Sequence, residues 1–151
     1  MSEEGGQKSM GCILSVDYGL KRIGLAVSDP EKIFAFPLNT IENKNFKFVL
    51  SLIAKIIEDK DIDLIIVGVP YRGKPDITDS DSMESLITGF INRLKENVSI
   101  PVEAIDESLS SFMAEERLRE SGKNAKEIKS IIDQEAARYI LEDYIQNVKK
   151  H

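Results

Sequence analysis

The chain has no tryptophan, one cysteine and one histidine in 151 residues. Cys12 alone can form neither an internal disulfide nor a cysteine-cluster zinc site, and a lone free thiol fits a reducing compartment. His151, the only histidine, stands last in the sequence, which disfavours a Ser-His-Asp triad, a Cys-His pair and histidine-based zinc catalysis. No apolar run approaches the ~20 residues that a membrane-spanning helix needs, and residues 1–10 hold no apolar core of a secretory signal. These absences predict a cytoplasmic protein with no membrane partner. Basic residues are also in deficit: 20 Lys and Arg stand against 26 Asp and Glu, a formal net charge of −6. As a total, that balance argues against binding to phosphate-rich polymers.

What is present is enough for one core. With 42% hydrophobic residues, a chain of this length buries roughly 70% of its unfolded surface. Residues 1–10 lack hydrophobic periodicity and are expected to form a flexible tail, 11–148 a single domain, and 149–151 a C-terminal tail. Cys12 to Asp17 is a short apolar run, and Ile23, Leu25 and Val27 alternate in a second. The brief link Tyr18 to Lys21 makes the two an antiparallel hairpin. A third extended segment, Ile33 to Ile41, carries Pro37, which suits a sheet edge. Phe46, Val49, Leu50, Ile53 and Ile57 then mark one helix face, and Phe46, Phe48 and Phe90 are read as helix-face core residues.

Asp63 to Gly68 is a buried strand, Val69 to Ser80 a loop, and Asp81 with Glu84 a capping box for the amphipathic helix through Met83, Leu86, Ile87, Phe90 and Leu94. Ile100 to Asp106 is the fifth strand. Ser110 or Ser111 opens a helix that Gly122 stops, and Asn124 with Glu127 caps the last helix, carried by Ile128, Ile132, Ala136 and Tyr139. This order predicts an α/β fold: a mixed five-stranded sheet, three antiparallel strands then two parallel, with helices on both faces.

Three places hold carboxylates that have both a structural and a chemical reading, and the chemical one gains weight only from the three together. Asp17 ends an apolar strand before a glycine turn, although turn initiation is common for Asp. Asp106 and Glu107 lie at a strand C-terminus, where ligands of open α/β sheets bind; alternation does not choose between them. Asp133 sits inside the last helix, where Asp has poor propensity, in line with Ala137, Ile140 and Tyr144. Without His or Cys, three carboxylates suit hard divalent cations, Mg²⁺ or Mn²⁺. Two such ions ~3.5–4 Å apart serve phosphodiester hydrolysis, whereas glycosidase chemistry needs only two carboxylates.

Four segments carry a family resemblance: Ile13 to Pro30 (ILSVDYGLKRIGLAVSDP), Ile66 to Pro70 (IVGVP), Asp106 to Ser111 (DESLSS) and Asp133 to Tyr144 (DQEAARYILEDY). In this order they resemble the motifs of the YqgF-type family, which has a ribonuclease H-like fold. Its members are described as Holliday junction resolvases and as nucleases that mature the 5′ end of pre-16S rRNA. The resemblance implies that Asp17, Glu107 and Asp133 are the catalytic, metal-binding acids, holding two Mg²⁺ or Mn²⁺ ions. It selects Glu107 over Asp106. It implies a nuclease acting on structured RNA, with rRNA processing as first reading and branched DNA as the alternative. A monomer suffices for trimming RNA, and a homodimer suits a symmetric junction. Two places depart from the family pattern: Ser108 stands where Arg is common, and Tyr71 to Pro75 replaces an acidic-Gly turn.

Two other classes share some of these features. Asp17, Gly19 and Gly24 also resemble the phosphate-binding hairpin of the actin and sugar-kinase superfamily, which needs a second domain. A non-catalytic nucleic-acid or ribosome-associated module would keep the fold without turnover.

Candidate substrate contacts are Lys21 and Arg22 in the hairpin, Arg72 and Lys74 in the loop after the fourth strand, and Ser108. Arg117, Arg119, Lys123, Lys126 and Lys129 add a basic track with only Glu120 and Glu127 to offset it. The acidic total therefore averages unlike regions. Two bound divalent ions would move −6 to about −2, and Asp76, Asp79, Asp81 and Glu84 cluster away from the basic track.

Overall fold

The structure, a computed structural model, describes residues 11–69, 83–106 and 116–149, except for the side chains at 129, 132–134, 148 and 149. The expected tail at 1–10, the expected tail at 149–151 apart from Lys149, which ends the last helix, the loop after Val69, the capping role of Asp81, and the helix start at Ser110 or Ser111 lie outside the described residues. Five strands form one sheet: β1 (Cys12–Asp17), β2 (Arg22–Ser28), β3 (Ala35–Glu42), β4 (Ile62–Val69) and β5 (Val102–Asp106). Their order is β3-β2-β1-β4-β5. β1 pairs antiparallel with β2, and β2 with β3, while β4 runs parallel to both β1 and β5. The mixed α/β sheet read from the sequence is the one observed, with Pro37 on the edge strand.

Side-chain alternation along β1 sorts the two faces. Leu14 and Val16 join Val49 and Ile53 of α1 (Phe46–Lys60) and Ile87, Phe90 and Leu94 of α2 (Met83–Asn97) in the larger core. Ile13, with Ala26 and Ile66, instead meets Ala137, Ile140, Leu141 and Ile145 of α3 (Ala125–Lys149). The sheet is thus covered on both sides. β4 and the middle of β1 are buried on both, which is why they read as continuous apolar runs.

Local signals explain the helix ends. Asn45 caps α1, its side-chain oxygen accepting from the Phe48 N–H at 2.8 Å, and Asp61 closes it in the left-handed region at φ 53°. Residues 116–120 are helical, and Gly122 follows at φ +93° as the expected stop. Asn124 and Glu127 form a reciprocal capping box: each side chain accepts from the other's backbone N–H, at 2.9 and 3.0 Å.

Four expectations need correction. Leu86, read onto the apolar face of α2, is exposed, and Ile91 joins Ile87, Phe90 and Leu94 as the buried set. The inward stripe of α3 is Ala137, Ile140, Leu141 and Ile145, while Ala136 and Tyr139 are half-buried. Glu135, with non-helical φ −119° and ψ 16°, breaks the helix in two, so one period cannot serve both halves. Phe48 is outside the core; it is half-buried, with the Lys44 ammonium 4.8 Å above its ring. The third strand begins at Ala35, leaving Ile33 and Phe34 exposed.

Candidate active site at the strand ends

β1, β4 and β5 run parallel, so their C-terminal ends share one edge of the sheet. Asp17 is the last residue of β1, opposite Gly24 of β2. Its parity places it on the α3 face with Ile13 and Ser15, whose hydroxyl donates to the Ala137 carbonyl at 2.8 Å. That bond anchors α3 over the β1-β2 hairpin. A Cβ added at Gly24 would stand 3.6 Å from the Asp17 Cβ and 3.9 Å from both Asp17 Oδ2 and the Ala137 Cβ. Gly24 therefore puts no side chain between the carboxylate and the helix. It also lies within the register shift between Ile23 and Leu25 in the β2-β3 pairing, the kind of irregularity that re-aims a strand beside a functional site.

The turn behind Asp17 is tightly specified. A Cβ on Gly19 would lie 2.3 Å from the Arg22 carbonyl oxygen, so only glycine fits. Asn43 ties the turn at both ends: its Nδ2 donates to the Gly19 carbonyl at 2.8 Å, and its backbone N–H donates to the Lys21 carbonyl at 2.9 Å. Asn43 went unread in the sequence, because an Asn between strand and helix looks like ordinary turn chemistry.

The other candidates fall as follows. Asp133 lies in α3 one turn before Ala137, with the break at Glu135 between them; its side chain is among those not described. Arg138, which follows the break, donates from Nε to Glu135 at 2.6 Å and from Nη1 to Glu142 at 2.7 Å. Asp106 ends β5 in register with Val69 and is exposed. Glu107, Ser108, Arg72 and Lys74 lie outside the described residues. Lys21 and Arg22 are exposed on the hairpin beside Asp17. Arg117, Arg119, Lys123 and Lys126 are exposed along the turn from Gly122 into α3, with Arg119 paired to Glu116 at 3.1 Å; the side chain of Lys129 is not described. Among the described residues no three His, Cys, Asp or Glu side chains gather to hold a metal. The Asp17 carboxylate is still the hard oxygen donor that Mg²⁺ and Mn²⁺ prefer, and Gly24 puts no side chain against it.

The model of the RuvX family, described as Holliday junction resolvase, matches residues 11–147. The chain belongs to the RuvX family. Its relatives include a protein of Maridesulfovibrio salexigens, 36% identical over 88% of this chain and 96% of the relative. Another, from Anaeromyxobacter sp. (strain K), is 39% identical over 87% and 94%. Both carry the name "Putative pre-16S rRNA nuclease". RuvC of T. thermophilus, solved in complex with a Holliday junction substrate, shares the fold with a TM-score of 0.55 at 13% identity, covering 92% of this chain and 96% of that one. Membership of RuvX makes the chain a phosphodiester-hydrolysing enzyme of a ribonuclease H-like fold, in a family that generally uses divalent metals. Among the described residues, no helix is long and apolar enough to cross a membrane.

Proposed function

We infer that this RuvX chain is a nuclease dependent on Mg²⁺ or Mn²⁺, with Asp17, Glu107 and Asp133 as the acids that hold two ions, and that it processes the 5′ end of pre-16S rRNA. The observation that carries the reading is the position of Asp17: last residue of β1, at the C-terminal edge of the parallel strands, with Gly24 beside it and Ala137 of α3 across from Gly24. Ligands of α/β sheets bind at that edge. Asp106, the residue before Glu107 in sequence, ends β5 on the same edge, and Asp133 precedes Ala137, which faces Gly24, by one turn. The names of the relatives supply the RNA substrate.

Bound divalent ions would supply charge to stabilise the phosphorane-like transition state and to activate water. The chain's own part is positional. Asp17 sits on a strand buried along its length, and its turn is fixed by Gly19 and Asn43, so the carboxylate is pre-organised rather than ordered on binding. Lys21 and Arg22, exposed on that turn, are placed to hold a phosphate next to the scissile one, and the basic residues from Arg117 to Lys129 to hold a more distant part of the backbone. A monomer is sufficient for this task. Holliday junction resolution is the second reading, favoured by the family description.

Incubating the protein with Mg²⁺ or Mn²⁺ and a pre-rRNA fragment, a single-stranded RNA and a four-way DNA junction decides between them. Metal-dependent cleavage near the mature 5′ end of the rRNA fragment is expected. Cleavage of the junction alone would overturn the RNA assignment, and binding without cleavage of any of the three would leave a non-catalytic module.

A further inference from the structure

Tyr18, one residue after Asp17, faces the opposite side of the sheet and joins the α1/α2 core. Its ring centroid lies 4.8 Å from that of Phe90, and Phe90 lies 6.1 Å edge-on from Phe46. A cavity of about 350 Å³ opens over these rings between the start of α1 and one face of α2. Three features along that face of α2 are not explained by folding. Leu86 is 45% exposed. Gly89 stands mid-helix, where glycine is unfavourable, yet an added Cβ would meet nothing within 4 Å. Arg93 holds its guanidinium 4.1 Å above the Phe46 ring and pairs with no carboxylate among the described residues. An exposed apolar side chain, a side chain left out and a cation with no carboxylate partner among the described residues all border one cavity.

Its polar lining is also incompletely used. Asn43 spends its Nδ2 on the Gly19 carbonyl and Asn45 its Oδ1 on the Phe48 N–H. Both residues line the cavity, and among the described residues the Asn43 Oδ1 and the Asn45 Nδ2 make no further hydrogen bond, an acceptor and a donor. We propose that the cavity receives one unpaired base of the nucleic-acid strand that crosses Asp17, with its edge on Asn43 and Asn45 and a neighbouring phosphate on Arg93. The volume lies within the ~300–1,000 Å³ of small-ligand pockets. Aromatic faces stack on any base, the amide pair answers a base edge, and an Arg at the rim suits a phosphate. An apolar side chain from a protein partner would bury those amides and Arg93 without partners. A paired base cannot enter, so the substrate is unpaired at or beside the cut. The inference rests on the nuclease reading, since the same strand serves Asp17 and the cavity.

The test is a titration of ¹⁵N-labelled protein with adenosine and uridine 5′-monophosphates, followed by single-stranded and duplex RNA and DNA decamers without added metal. The expected result is that the amide signals of Asn43, Phe46 and Gly89 shift with the monophosphates and with the single strands. Gly89→Leu, which fills the cavity with a better helix former, should abolish those shifts, weaken single-strand binding roughly tenfold and leave duplex binding and thermal midpoint no lower. Two results would overturn the proposal: no shifts at these residues in the unaltered protein, which needs no variant to fold, or equal single-strand affinity in Gly89→Leu. Occupation of the cavity by an apolar peptide in preference to the nucleotides would do the same. Asp17-dependent cleavage without shifts at Gly89 would remove the base pocket and keep the nuclease; shifts at Gly89 without cleavage would do the reverse.

Discussion

Gly19 and Gly24 flank Asp17 and constrain it in different ways. An alanine at 19 would press its Cβ to 2.3 Å from a backbone oxygen, whereas one at 24 would make ordinary contacts of 3.6 to 3.9 Å. Gly19→Ala should therefore lower stability by about 1–3 kcal/mol and displace the turn beside the carboxylate. Gly24→Ala should hold stability within about 0.5 kcal/mol yet reduce cleavage, because its methyl occupies the space proposed for the ions. Urea unfolding beside a cleavage assay separates the two; equal stability losses would refute the distinction. Asp29 offers a pH test. Burial pushes its carboxyl up, but N–H donors, chiefly Phe34 and Ile33 at 2.7 and 2.8 Å, outweigh it and hold the pKa below the ordinary value. A depressed pKa gives stability that is present above the unfolded value, near 4, and lost as pH falls through the folded one. The urea midpoint of the unaltered protein should thus fall more steeply below pH 4 than that of Asp29→Asn; parallel profiles would contradict this. The end of β1 at Asp17 was legible because an apolar run gives way there to a carboxylate and a glycine turn. The demands on Gly19 and the clamp by Asn43 were not, because both depend on which backbone atoms the turn brings close.

At the scale of elements, helix ends were easier to read than helix faces. The capping box of Asn124 and Glu127 is local, set by three residues of separation, and both of its hydrogen bonds form. Asn124→Ala should cost about 1 kcal/mol, visible as a lower denaturant midpoint; an unchanged midpoint would mean that α3 is held by packing alone. The inward face of α3 misled because a single 3.6-residue period was carried across Glu135, where the backbone leaves the helix. Arg138, bonded to Glu135 and Glu142, spans the restart, and the packed stripe begins only at Ala137. That break lies between Asp133 and the residue facing Gly24, so the direction of Asp133 could not be settled by periodicity. Phe48 misled for a simpler reason: spacing locates a helix face but not its width, and position 48 falls at the rim.

For the molecule as a whole, the arrangement of the sheet was legible almost throughout. Two short runs joined by four residues form a hairpin and strands separated by single helices run parallel, so the sense of the strands follows from chain connectivity; the crossing from β3 past β2 and β1, which sets the order β3-β2-β1-β4-β5, does not. The same connectivity brings Asp17 and the end of β5 to one edge. Net charge was the poorest guide, since −6 averages acids proposed to hold cations with an exposed basic stretch near Gly122. The central claim is that Asp17 anchors a metal-dependent cut in precursor rRNA. Its most direct test is the rate at which Asp17→Asn, shown by circular dichroism to be folded, cleaves a pre-16S rRNA fragment in Mg²⁺ or Mn²⁺. A fall of roughly 100-fold or more relative to the unaltered protein is expected. Cleavage at the unaltered rate would contradict the account.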